Sequence, residues 1–275
     1  MAERGGDFPQ PGVRGRGLMR TDVNAFLGHY PFRRVEGGSP GGLVQAMARH
    51  GIDRAWVSNL GSLYWKDPTE GNAILFKVAE GQESLRPVPA IHPGLANWRA
   101  VLAEAVARRA PAIRVDPLLQ GIAPDHPELE ALAHLAAEAG VPIMMAVRLE
   151  DGRQRHPNDR TGDLEPWMLR QLIRRDPALR LIVTHADRDF IEQVHYGSTA
   201  AEAERLLWDI CWIWGPPMDD LAHLVATIGA ARFAFGTGMP LRIPESSVAK
   251  LELLDLPAAD LALIESGNAA AFAAG

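Results

Sequence analysis

Eight times along its 275 residues this chain sets a short apolar run, suited to a β-strand, ahead of an amphipathic run suited to a helix. The strand-like runs are residues 18–26, 54–59, 88–92, 112–116, 141–148, 179–185, 206–212 and 232–236. Helix-like runs cover 41–50, 72–80, 98–109, 127–139, 164–175, 198–205 and 218–228, and two more close the chain at 244–254 and 258–273. In the run at 127–139, Leu129, Leu132, Leu135 and Ala136 share one face and Gly140 stops the helix. Residues 141–148 are nearly all apolar, the pattern of a parallel strand covered on both faces. Eight such units predict an α/β chain closed as a (β/α)8 TIM barrel, one domain over residues 17–275 behind a flexible leader at 1–16. An open doubly wound sheet is the alternative; no Gly-rich phosphate loop follows the first strand, which weakens it.

Composition narrows the function classes. An apolar share of 47% and a charged share of 23% are those of an ordinary globular chain. A net charge of −6 without blocks of like charge argues against nucleic-acid or membrane-surface partners. No run reaches the ~20 apolar residues of a bilayer span, and no secretory h-region is present, so a cytoplasmic protein is expected. One cysteine excludes an internal disulfide or a thiolate cluster. Cys211, among Trp208, Ile210 and Trp212, reads as a buried, unreactive thiol. Tryptophans on helices and connections, Trp65, Trp98 and Trp167, suggest core packing or a homodimer face.

The C-terminal strand ends of such a barrel surround its active site. Here they carry Asp22, Asn24 and Phe26, then Asn59, His92, Arg114 with Asp116, Arg148, His185 with Asp187, Asp209 with Trp212, and Thr237. His185 is the expected general acid or base, because imidazole titrates near neutrality, with Asp209 or Asp187 to orient it. Arg114 and Arg148 are the expected anchors of an anionic substrate, since a guanidinium presents a rigid fork to a carboxylate. Asn24, His29, His92 and His156 complete the candidate binding residues. His156 lies in the irregular stretch 149–163, which sits after the fifth strand as a lid or binding loop. The competing expectation is an ion-pair ring, Arg114–Asp116 and Arg148–Asp209, that closes the barrel top without chemistry.

These strand ends resemble those of the amidohydrolase superfamily, its branch of small metal-dependent hydrolases and decarboxylases. The likeness rests on Asp22-Val23-Asn24 before Gly28-His29-Tyr30-Pro31-Phe32, and on Gly51-Ile52-Asp53-Arg54-Ala55 leading into the second strand. Ile113-Arg114-Val115, Val183-Thr184-His185, Phe235-Gly236-Thr237-Gly238-Met239-Pro240 and the late Gly267-Asn268-Ala269-Ala270 extend it over about 250 residues. The resemblance implies a barrel that hydrolyses or decarboxylates small carboxylated aromatics or lactones. It also implies a metal held by His-x-His on the first strand and an Asp on the eighth. Asn24, Phe26 and Gly238 occupy those positions here, and Phe and Gly side chains cannot ligate a metal. The expectation is therefore a small anionic substrate handled without a resident cofactor. Two alternatives stay open: one divalent zinc-like ion on His185, His92 and Asp22 or Asp209, or a non-catalytic relative that binds ligand or stabilises a partner subunit.

Overall fold

The computed structural model of the chain describes residues 19–274; the leader expected at 1–16 lies outside them. The eight strands are β1 (Thr21–Leu27), β2 (Arg54–Asn59), β3 (Leu85–Pro87), β4 (Ile113–Arg114), β5 (Ile143–Ala146), β6 (Leu181–Thr184), β7 (Leu206–Asp209) and β8 (Phe233–Ala234). All pair in parallel, in two arcs ordered β1-β2-β3 and β4-β5-β6-β7-β8.

Backbone hydrogen bonds join the arcs at both seams. Between β3 and β4, Arg114 donates its N–H to Pro89 O at 2.9 Å and Ile91 donates to Arg114 O at 2.8 Å. Between β8 and β1, Val23 donates to Phe235 O at 2.9 Å and Gly238 donates to Asn24 O at 2.8 Å. The ring is thus a closed (β/α)8 barrel. Its interior holds Val23, Trp56, Val88, Met144, Ile182, Leu207 and Ala234, and a larger apolar shell lies between strands and helices.

The third strand begins three residues earlier than its apolar run suggests. Pro87 and Pro89 cannot donate to a ladder, so the regular strand ends at Pro87 and the chain continues extended to bridge Ala90 to Arg114. A helix missing from the sequence expectation, Arg188–Tyr196, follows β6 directly; Asp187 caps it by accepting from Phe190 N at 3.0 Å. The closing helix is broken into Ala258–Ala262, a wide turn at Leu263–Gly267 and Asn268–Ala274. That turn frees Ile264 O to accept from Phe235 N at 2.8 Å and brings Glu265 to the buried guanidinium of Arg20.

Candidate active site

His185 follows the last residue of β6 with φ +59°, a left-handed backbone that few non-glycine residues adopt. It is held there by its own N–H, which donates to Asp209 Oδ1 at 3.0 Å. Strain of this kind, of order 1–3 kcal/mol, persists where surrounding structure fixes it and clusters at functional sites. The ring lies between Phe26 and Trp212, with centroid distances of 6.2 and 5.8 Å. Among the described residues its Nε2 is buried and has no hydrogen-bond partner.

Asn24 ties this histidine to its neighbours. Its Nδ2 donates to Asp209 Oδ2 at 2.7 Å and lies 3.4 Å from His185 Nδ1 and 3.8 Å from Cys211 Sγ. Its Oδ1 accepts from Arg114 Nη2 at 2.9 Å, which sets the amide's orientation. Arg114 is itself fully buried, with Nε donating to Ser58 Oγ at 3.0 Å and its guanidinium stacked 4.8 Å from the Phe26 ring. Arg114 Nη1 has no hydrogen-bond partner among the described residues; the nearby Asp116 Oδ2, 3.8 Å away, has none either. Arg114 thus meets Asp116 as an ion pair without a hydrogen bond, while Arg148 pairs with Asp163 and Asp187 and not with Asp209, so only the first half of the expected ion-pair ring is present.

Arg148 is engaged elsewhere. Its Nη1 donates to Asp187 Oδ2 at 2.5 Å and its Nε lies 2.8 Å from Asp163 Oδ2. Arg155, inside the 149–163 segment, pairs with the same Asp163 and folds the segment on itself, while Arg148 ties it to Asp187 beyond β6. Beneath that segment runs a narrow cleft lined by Tyr64, Asp116, Arg148, Leu149, Arg155 and Thr161. A further guanidinium absent from the sequence reading, Arg242, stacks 3.3 Å from the centroid of Trp212, and its Nε is buried without a partner. A strand-end rule could not find it, because it lies eight residues beyond β8.

Electrostatics follow burial. Loss of water around His185 pushes its pKa well below the ordinary imidazole value, and Arg242, Arg114 and Arg148 push the same way, so the ring is neutral at neutral pH. Burial raises the Asp209 and Asp116 carboxyls, and the Cys211 thiol is raised well above its usual value. Asp22 is pushed up to about 6, chiefly by burial, although Thr237 Oγ1 donates to it at 2.5 Å. An acid raised in the folded state binds its proton more tightly there, so its ionisation opposes folding above pH 6. As pH falls from 6 towards 4 that penalty, about 3 kcal/mol, is relieved. The stability difference between the native chain and Asp22→Asn should therefore shift by about that amount, in favour of native, between pH 7 and pH 4 in denaturant titrations.

The structure brings together Asn24, Arg114, His185 and Asp209 among the expected site residues. Asp187 is a helix cap and partner of Arg148, and no hydrogen bond joins it to His185. His29 is exposed in the turn after β1. His92 is half-buried, accepting from its own loop at Gly94 N, and His156 is exposed, stacked on Phe32 at 5.4 Å. Asp22 serves Thr237 and the Asn24 backbone. The one His, Cys, Asp or Glu group among the described residues with converging ligand atoms is His185, Asp209 and Cys211, all within 4.8 Å of one another. Cys211 is buried as expected, but its setting beside imidazole and carboxylate is not that of an isolated core thiol.

Comparisons with known proteins agree with this fold. The family model described as amidohydrolase matches residues 88–272. No curated protein sequence matches the chain. Among solved structures, 2,6-dihydroxybenzoate decarboxylase in complex with 2,6-dihydroxybenzoate superposes with a TM-score of 0.70 at 14% identity, over 94% of this chain and 99% of that one. A 5-carboxyvanillate decarboxylase from Novosphingobium aromaticivorans, with manganese and 4-hydroxy-3-methoxy-5-nitrobenzoic acid, gives 0.70 at 13% identity, over 94% and 97%. A probable 2-pyrone-4,6-dicarboxylic acid hydrolase from Acinetobacter baumannii with citric acid bound gives 0.64 at 10% identity, over 94% and 100%. Manganese in such relatives overturns the expectation of a chain without any cofactor. Among the described residues no helix is long and apolar enough to cross a membrane.

Proposed function

We propose that this chain, which belongs to the amidohydrolase family, acts on a small carboxylated substrate at the C-terminal strand ends of its barrel. The reaction class is decarboxylation or hydrolysis. The observation that carries this reading is that at the strand ends His185 Nε2 is buried without a hydrogen-bond partner among the described residues, and the buried Arg114–Asp116 ion pair, 3.8 Å apart, is not closed by a hydrogen bond. Buried polar atoms are almost always hydrogen-bonded, and exceptions gathered in one place mark a site prepared for a ligand.

The donor set fits a divalent ion: an imidazole nitrogen, a carboxylate oxygen and a thiol sulfur converge, and all three side chains are buried. His185, Asp209 and Cys211 would hold it, and such an ion polarises a substrate carboxylate or carbonyl, or lowers the pKa of a bound water. The chain's own groups supply the rest. Arg114 Nη1, not hydrogen-bonded among the described residues, offers a donor to a substrate carboxylate, and Arg242 adds a second positive charge beside His185. Asn24 donates towards His185 Nδ1, which leaves the ring proton on Nε2, the nitrogen without a partner. There it can donate a hydrogen bond to a substrate carboxylate or to negative charge that develops on the substrate. Trp212 and Phe26 flank the ring and keep water from it. His185 is 0% exposed, so substrate reaches it only when the Phe26 or Trp212 ring that flanks it moves aside.

The test is ligand binding. Arg114→Met keeps most of the buried apolar volume and removes the guanidinium, so affinity for 2,6-dihydroxybenzoate should fall by tenfold or more in calorimetric titration, about 1.4 kcal/mol or above. Equal affinity in the variant would remove Arg114 as the anchor. A second reading is favoured by the complete burial of His185: a non-catalytic relative that binds ligand with its chemistry sealed. It predicts binding without turnover.

A further inference from the structure

We propose that His185, Asp209 and Cys211 form a thiolate-containing site selective for zinc-like ions over manganese, with the Asn24 amide holding the three acceptors until the ion displaces it. The proposal deepens the reading of this cluster as the active centre, but its test needs no turnover.

Three observations carry it. The ligand atoms of the three residues lie within 4.8 Å of one another, and the residues are 0, 0 and 4% exposed. Among the described residues His185 Nε2 is buried and unpartnered, so the ring proton can sit there while Nδ1, the nitrogen facing Asn24, serves as the ligand; an ideal Cβ on Gly238 would lie 3.0 Å from Nε2, 3.5 Å from Arg242 Cδ and 3.6 Å from Cys211 Sγ. Most distinctive is Asn24, whose single Nδ2 faces Asp209 Oδ2, His185 Nδ1 and Cys211 Sγ at 2.7, 3.4 and 3.8 Å. The three have other partners too, Thr184 Oγ1 at 3.3 Å from His185 Nδ1, the His185 N–H on Asp209 Oδ1 and the Asp209 carboxylate beside the Cys211 thiol, and the amide nitrogen sits where their ligand atoms meet. Arg114, bonded to Oδ1, keeps that nitrogen turned inward. The cluster thus holds a neutral amide donor at the point where its N, O and S ligand atoms meet.

Cys211 is placed by more than its side chain. Buried Lys250 donates from Nζ to the carbonyls of Ile210 and Cys211, both at 3.0 Å, which pins the chain just beyond β7. The ligand types then decide the ion. Thiolate with imidazole and one carboxylate suits tetrahedral zinc, whereas manganese favours oxygen-rich octahedral sites. Binding sends the thiol proton to solvent, and the sulfur lone pair it leaves enters the coordination sphere. Three protein ligands leave a fourth position for water or substrate.

The experiment uses the full chain stripped with chelator and titrated with cobalt(II), a spectroscopic substitute for zinc. One equivalent should bind with the near-ultraviolet thiolate-to-cobalt charge-transfer band and the intense visible bands of tetrahedral cobalt. Zinc should displace it stoichiometrically, and a tenfold excess of manganese should not. Cys211→Ser should lose the charge-transfer band while its far-ultraviolet circular dichroism is retained. Asn24→Ala should tighten cobalt binding by about tenfold or more, the scale of effect seen for groups that contact ligands. Asn24→Asp, which replaces the competing donor by an acceptor, should do the same and stands in if the alanine variant fails to fold. No stoichiometric binding, or a charge-transfer band unchanged in Cys211→Ser, would overturn the site. Unchanged or weaker binding in both Asn24 variants would overturn the role of the amide. Binding as described in a chain without turnover would keep the site and remove the enzymatic reading.

Discussion

Replacing His185 by Asn is expected to lower kcat by roughly 10²–10³-fold with the melting temperature nearly unchanged, the range of a buried donor aimed at developing charge. Asn is the informative choice because it tolerates the left-handed backbone that His185 adopts at φ +59°. The backbone N–H can still donate to Asp209 Oδ1, so the end of β6 stays in place. What disappears is the imidazole between Phe26 and Trp212, with its unpartnered Nε2. Steady-state kinetics beside calorimetric melting separate the two effects. A variant that melts many degrees lower with kcat intact would make His185 a packing residue.

Glu265→Ala is expected to destabilise the fold by about 3–5 kcal/mol, the cost of leaving a buried charge without its partner. Arg20 and Glu265 are 3 and 4% exposed, and the guanidinium donates to Glu265 Oε1 from Nε at 3.1 Å and from Nη2 at 2.5 Å. The pair joins the start of β1 to the wide turn at Leu263–Gly267, so it fastens the last element to the first across the barrel floor. Arg20 also stacks on Phe235, 4.8 Å from the ring centroid, which keeps the guanidinium inside when its partner is removed. Chemical denaturation would check this, and a loss below 1 kcal/mol would show that water replaces the carboxylate. Because the pair lies at the opposite end from His185, ligand affinity of the folded variant should match the native chain.

The barrel was legible because its signal is repeated. Eight parallel strands need eight apolar runs, and the 54–59 run coincides with β2, Arg54–Asn59. Strand ends also placed Asn24, Arg114, His185 and Asp209 at one mouth, since parallel strands all point the same way. The method stops where the strand stops. His29 and His156 follow strands closely in sequence, but the chain turns outward before their side chains, and both are exposed. Asp187 follows His185 by two residues and reads as its partner, yet the helix Arg188–Tyr196 starts there and takes the carboxylate as its cap. Cys211 lies between Ile210 and Trp212; Asp209 is two residues before it in sequence, but its other polar neighbour, Asn24, comes from the opposite end of the chain through the fold. Arg242 is invisible for a similar reason, being defined by its stack on Trp212. The cofactor expectation failed because it asked which family ligand positions survive, and not which side chains the fold gathers around His185.

Turnover by the metal-replete full chain tests the central claim most directly. The chain would be incubated with 2,6-dihydroxybenzoate, 5-carboxyvanillate and 2-pyrone-4,6-dicarboxylate, following carbon dioxide release and the loss of substrate absorbance. The account predicts turnover of at least one such carboxylated ring compound, abolished by chelator and reduced by about 10²-fold or more in His185→Asn. Binding of these carboxylates with no product formed, by native chain and variant alike, would contradict it and make the barrel a ligand-binding relative of the enzymes it resembles.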